Sequence, residues 1–108
     1  MPNSHDPYFL LIYSYSDDYL EKRASHRKQH FKQVEALVEK GYLILGGALE
    51  NPPDSAYICF RCPDRSSVED FVERDPYVLN GLVLKHEIRD WKVVVGTACS
   101  NPISSTKL

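Results

Sequence analysis

The sequence lacks several features that would place it in a specialised class of protein. It has only three cysteines in 108 residues, and an odd number argues against a disulfide scaffold. The 13 lysines and arginines are outnumbered by 15 aspartates and glutamates, so nucleic-acid binding is not expected. No apolar run approaches the roughly 20 residues of a membrane span. Residues 1–7 are polar and contain no apolar signal core, so we expect a cytoplasmic protein.

What remains is the composition of an ordinary globular domain. Hydrophobic residues make up 43% of the chain and charged residues 26%. The length suits one domain and is too short for two full cores. We therefore expect an N-terminal extension at residues 1–6, one domain at residues 7–95, and a flexible, serine-rich C-terminal tail at residues 96–108.

Two of the cysteines, Cys59 and Cys62, have the C-x-x-C spacing. They lie at the end of a predicted strand, where residues three apart point to opposite faces. No second C-x-x-C and no thioredoxin-type helix start accompany them. We interpret them as two unpaired, reduced thiols.

The spacing of apolar residues predicts the order β-α-β-β-α-β. Short apolar runs predict strands at residues 8–13, 43–49, 56–60 and 82–95. A long helix is predicted from the cap cluster at residues 16–18 to Lys40, with Gly41 as its stop. A shorter helix is predicted to end at Asp75, because the residue before a proline avoids the helical region. This order indicates an α+β fold of the ferredoxin-like type, with a four-stranded antiparallel sheet.

The predicted sheet has one face that the two helices leave bare. The final strand contributes much apolar surface, including Ile88, Trp91 and residues 93–95. A second copy of the same chain commonly covers such a face, so we expect a homodimer.

The first helix carries a cluster of basic side chains. Their three- and four-residue spacing places Arg23, His26, Arg27 and His30 on one side of the helix, within or beside its apolar stripe. Polar side chains there need partners or a pocket. The alternative is a solvated helix edge. His26 and His30 also have a spacing that can hold zinc, but no third ligand is marked, so we predict no metal site.

A second motif, Asp75-Pro76-Tyr77, follows the shorter helix. Its aspartate has two interpretations: a turn residue that ends the helix, or a partner for a histidine of the first helix. In the second interpretation the aspartate holds the imidazole in one tautomer and raises its basicity. The pair Gly46-Gly47 in the second strand marks a bulge or a place where a ligand approaches the backbone.

Together these segments resemble the YCII-related (YciI-like) family over about residues 7–92. The matching segments are Leu20-Glu21-Lys22-Arg23, Arg27-Lys28-Gln29-His30-Phe31, Gly41, Gly46-Gly47-Ala48-Leu49 and Asp75-Pro76-Tyr77-Val78. The resemblance implies a ferredoxin-like fold that dimerises as a dimeric α+β barrel, with a site near the dimer interface. It matches the family's histidine to His30, its aspartate to Asp75, and its arginines to Arg23 and Arg27. Some relatives are linked to dehalogenation or to the breakdown of aromatic compounds.

We therefore predict a small-molecule enzyme that uses His30 and Asp75 as an acid-base pair, without a cofactor. His30 would move a proton and Asp75 would orient it. The substrate would be small and anionic or aromatic, and the reaction of lyase, isomerase or hydrolase type. The predicted substrate contacts are Arg23, His26, Arg27, Gly46, Gly47 and Tyr77. The alternatives are a non-catalytic module that binds a small ligand, and a structural dimer in which these residues form an interface network.

Overall fold

The computed structural model describes residues 6–99, which form a four-stranded antiparallel sheet with helices on one face. The elements are β1 Tyr8–Tyr15, α1 Tyr19–Lys22, a 3-10 turn Arg23–Ser25, α2 Arg27–Lys40, β2 Leu43–Ala48, β3 Ser55–Arg61, α3 Ser66–Arg74, α4 Pro76–Leu79 and β4 Val83–Trp91. The strand order is β2-β3-β1-β4, which confirms the predicted ferredoxin-like fold. Residues 1–5 and 100–108, most of the predicted extension and tail, lie outside the described residues. Within residues 6–99, no helix has the length and apolar character needed to cross a membrane.

The core lies between the sheet and the helices, and β1 is at its centre. Phe9, Leu11 and Tyr13 alternate along β1 and are buried toward the helices. Leu10 and Ile12 alternate with them and lie on the opposite face of the sheet. From the helix side, residues such as Val68, Phe71 and Val72 of α3 complete the core.

The prediction of one long first helix is wrong in one respect, because the helix is interrupted before its midpoint. Residues 23–25 form a 3-10 turn with about three residues per turn, and α2 starts only at Arg27. Asp18 does not cap the first segment. Its two carboxylate oxygens are instead used by Ser16 Oγ, at 2.7 Å, and Lys22 Nζ, at 2.8 Å. The basic cluster is therefore divided between the 3-10 turn and α2.

The last strand also differs from its prediction, because β4 ends at Trp91. Trp91 pairs with Tyr8, the first residue of β1, so no strand remains for residues 93–95 to pair with. The chain then turns back, and the Tyr8 hydroxyl donates a hydrogen bond to the carbonyl of Ala98. Ile88 is a second correction, since it pairs with Leu11 and is buried on the helix side.

The sheet face opposite the helices remains largely open. Leu45, Tyr57 and Trp91 lie on it, because they pair in register with Cys59, Ile12 and Tyr8, respectively. All three of these large side chains are exposed. The open face is thus apolar over β2, β3 and the Trp91 end of β4, whereas the rest of β4 presents charged side chains there, at residues 85, 87 and 89.

The cysteines are unpaired, and Cys62 is predicted to be chemically inert at neutral pH. Cys62 belongs to the buried core, whereas Cys59 lies on the open face with Leu10. Burial raises the pKa of the Cys62 thiol to about 11. Only about one Cys62 in a thousand is then a thiolate at pH 8, and the thiolate is the reactive form. Iodoacetamide labelling followed by mass spectrometry should leave Cys62 unmodified in the native protein and modify it in denaturant. Rapid native labelling of Cys62 would contradict this.

Candidate active site

Asp75 occupies the junction between two helices, and its carboxylate is fully buried. The residue is extended, as expected before a proline, so α3 ends at Arg74. It is also the N-cap of α4, with Pro76 in the first helical position. Its Oδ1 accepts the backbone N–H of Tyr77 at 3.0 Å. The Asp-Pro-Tyr sequence thereby turns the carboxylate inward, beneath α2 and β1.

His30 lies in the first turn of α2 and is held on two sides. Its Nδ1 is 2.7 Å from Asp75 Oδ1. Its ring stacks on Tyr77, with ring centres 3.9 Å apart and planes 5° from parallel. Because a carboxylate only accepts hydrogen bonds, the proton is assigned to Nδ1 and the lone pair of the neutral ring to Nε2. Within residues 6–99, Nε2 has no hydrogen-bond partner.

Tyr13 completes a three-residue network that the sequence analysis missed. Its hydroxyl donates to Asp75 Oδ2 at 2.7 Å. Burial, and then the neighbouring Asp75 carboxylate, hold the pKa of Tyr13 well above its ordinary value, so the phenol stays a donor. The available signal was a tyrosine on the buried face of an apolar strand, because a buried hydroxyl needs a partner. Asp75 thus accepts three hydrogen bonds, from Tyr13, His30 and Tyr77.

Gln33 is a second residue missed by the sequence analysis. It lies one turn after His30 on α2, and its Nε2 donates to the carbonyl of Phe71 at 2.8 Å. Phe71 lies in the helix that leads into Asp75. Gln33 therefore fixes the helix that carries the histidine to the helix that carries the aspartate.

A groove of about 910 Å³ opens beside His30, between α2 and β2. Its size is at the upper end of the range for small-molecule sites, about 300–1,000 Å³. Near His30 its wall is aromatic. Tyr15 and Tyr19 stack with ring centres 3.6 Å apart, and Tyr19 meets Tyr77 edge to face at 5.9 Å. The lining residues are Tyr15, Tyr19, Leu20, Arg23, Arg27, His30, Phe31, Val34, Val38, Leu43, Ile44, Leu45, Gly46, Gly47, Ala48, Leu49, Glu50, Asn51, Pro53, Ala56, Ile58 and Tyr77.

Two arginines give the histidine end of the groove a positive charge. The Arg23 guanidinium lies 5.5 Å from the centre of the Tyr19 ring, and that of Arg27 lies 4.8 Å from the Phe31 ring. Within the described part of the chain, neither arginine forms an ion pair with a carboxylate. The acidic residue of the lining, Glu50, belongs to the segment after β2. The arginines are therefore available to an anion.

The structure brings most, but not all, of the sequence-predicted site residues together. Arg23, Arg27, His30, Tyr77 and the two glycines line one groove, and Asp75 lies behind His30. His26 does not line it: it sits at the break between the 3-10 turn and α2. Tyr77 is buried against His30, so its ring supports the histidine. Across residues 6–99, no three His, Cys, Asp or Glu side chains are grouped as metal ligands would be.

The family model described as the YCII-related domain matches residues 7–92. The chain belongs to the YCII-related family. A comparison with curated proteins gave no match.

Two solved structures share the fold of this YCII-related domain. One is 5-chloro-2-hydroxyhydroquinone dehydrochlorinase (TftG) from Burkholderia phenoliruptrix AC1100, in complex with 2,5-dihydroxybenzoquinone. It has a TM-score of 0.67 and 22% identity, over 79% of this chain and 93% of that chain. The other is a candidate antibiotic biosynthesis monooxygenase from Bacteroides thetaiotaomicron VPI-5482, with a TM-score of 0.58 and 13% identity, over 88% of this chain and 96% of that one. At these identities the likeness concerns the fold.

Proposed function

We propose that the chain is a cytoplasmic enzyme that performs general acid-base catalysis on a small anionic or aromatic substrate, with His30 as the proton carrier. The observation that carries the proposal is the 2.7 Å contact between His30 Nδ1 and the buried Asp75 carboxylate, at the wall of a groove. A histidine oriented through one nitrogen presents the other to a ligand, which is the arrangement that proton transfer requires.

The proton path follows from this tautomer. His30 Nε2 accepts a proton from a hydroxyl or an acidic C–H group of the substrate, and the electron pair stays on the substrate as a phenolate or enolate. Asp75 stabilises the imidazolium that forms, and hydrogen bonds from Tyr13 and the Tyr77 N–H keep its carboxylate in place. The imidazolium then returns the proton to the product or to a leaving group.

The anion formed in this step requires a positive partner. Arg23 and Arg27 line the same groove and carry no carboxylate partner within residues 6–99. Guanidinium groups bind carboxylate and enolate oxygens with charge-assisted hydrogen bonds. The stacked Tyr15 and Tyr19 suit a planar ring beside them.

The test is a panel of hydroxylated quinones, phenols and aromatic carboxylic acids. The dehydrochlorinase of the same fold supplies the first two probes, 5-chloro-2-hydroxyhydroquinone for turnover and 2,5-dihydroxybenzoquinone for binding. Turnover of a panel member, with a shift of the His30 ring signals in NMR, supports the enzyme. Binding without turnover supports a ligand-binding module instead. If no member binds, both proposals fail and a structural role is favoured.

We further propose that the chain forms a homodimer through its open sheet face, as its apolar surface indicates. Leu45→Lys should raise the dimer dissociation constant at least about tenfold, because a buried leucine is worth about 1.5–3 kcal/mol. Leu79→Lys is the matched control, since Leu45 is 73% exposed and Leu79, on α4, is 68% exposed. Sedimentation equilibrium measures both variants. A monomeric wild-type chain, or equal effects of both substitutions, would refute this interface.

A further inference from the structure

The groove has a second part that a small charged ring would leave empty. Along α2, Val34 and Val38 follow His30 at four-residue intervals, so all three share one side of the helix. Each interval is about 6 Å along the helix, so this side extends roughly 12 Å beyond His30. Facing it are β2 and the Ile58 side chain of β3. The two parts form one continuous cavity.

The chemistry changes along that cavity. The cations, Arg23 and Arg27, lie at the histidine end. From Phe31 through Ala48, every lining residue is apolar or glycine. Phe31 and Val38 are exposed to water despite their size, which is unfavourable unless a ligand or another surface covers them. The cavity therefore has an anion-binding end and an apolar end.

Gly46 belongs to the apolar part of the lining, on β2, and its lack of a side chain leaves the space there open. Its backbone does not require glycine, since the glycines of positive φ are Gly41, Gly81 and Gly96. The three atoms nearest to a Cβ at Gly46 would all belong to the Ile58 side chain, at 3.4–3.7 Å. A methyl group is therefore tolerated, whereas larger branches would take up the space beside Ile58.

We infer that the substrate carries an apolar substituent that lies along α2 away from His30, and that Gly46 determines how large this substituent can be. The inference rests on the proposed function, because it places the anionic ring of the substrate at His30 and the arginines. It names the substrate class as a planar anion with an alkyl or aryl extension.

The experiment is calorimetric binding of benzoate, 4-propylbenzoate and 4-pentylbenzoate to the full chain. Affinity should rise about fourfold for each added carbon that is buried. In Gly46→Val the affinity for benzoate should stay within about twofold, while the affinity for 4-pentylbenzoate falls at least about tenfold. The affinity of Gly46→Ala for 4-pentylbenzoate should lie between those of Gly46→Val and wild type. This variant keeps the test valid if the valine variant does not fold.

The control is Ala36→Val, which also ends in a valine side chain but at an exposed position of α2 outside the groove, where it adds two carbons against three in Gly46→Val. Its affinity should increase with the length of the alkyl group as much as that of wild type does. Equal affinities across the wild-type series would overturn the inference, as would an equal loss in Ala36→Val. NMR of His30 separates the two proposals. A flat series that still shifts the His30 signals refutes the apolar extension alone. An affinity that rises with the length of the alkyl group, with no shift of the His30 signals, refutes the acid-base site.

Discussion

His30→Gln should lower kcat by about 10²- to 10⁴-fold on any substrate that the wild-type chain turns over. This is the range that a positioned general acid or base contributes. The glutamine amide can still donate to Asp75 Oδ1, where His30 Nδ1 now lies at 2.7 Å, so the fold should be retained. It cannot accept and release a proton, so binding should change much less than turnover. Steady-state kinetics, with separate kcat and KM, measure this difference.

The matched control for that variant is His86→Gln, the same change at an exposed histidine of β4 that does not line the groove. Its kcat should equal that of wild type. A second check is His30→Ala assayed with added imidazole, which should restore part of the turnover because it replaces the missing base beside Tyr77. If His30→Gln kept the kcat of wild type, His30 would have no part in proton transfer, and its contact with Asp75 would be structural.

Much of the fold could be predicted because it depends on local patterns. The apolar run of β1, the stop at Gly41 and the proline after Asp75 each act through neighbouring backbone, and each defined an element boundary closely. The break at residues 23–26 could not be predicted in this way. The same holds for Asp18 at the start of α1, whose carboxylate binds Ser16 and Lys22 in place of the helix terminus. The choice among hydrogen-bond partners of one carboxylate is not set by sequence spacing.

The site could be predicted only in part for a similar reason. The contact between His30 and Asp75 could be predicted because one lies in an apolar helix stripe and the other follows a helix in a motif that resembles the family's. Tyr13 and Gln33 were missed because their roles depend on contacts 62 and 38 residues away along the chain. His26 shares the helical spacing of His30, but it lies where the 3-10 turn meets α2 and does not line the groove.

Asp75→Ala should cost about 3 kcal/mol or more of folding free energy, because each buried donor left without its acceptor costs about 1–3 kcal/mol. The carboxylate is fully buried and accepts three hydrogen bonds, so its removal leaves Tyr13, His30 and the Tyr77 N–H without their partner. It also removes the N-cap of α4. Urea unfolding at one fixed protein concentration, analysed with a common slope, gives the difference.

Two further variants separate the structural role of Asp75 from its role in proton transfer. Asp70→Ala removes an exposed carboxylate from α3 and should change stability by less than about 0.5 kcal/mol. Asp75→Asn keeps the shape and an acceptor oxygen, so it should cost less stability than alanine, yet it removes the charge that stabilises the His30 imidazolium. Its turnover should therefore fall far more than its stability. If Asp75→Asn retained wild-type kcat, Asp75 would serve the fold alone, since an amide holds the ring but cannot balance its charge.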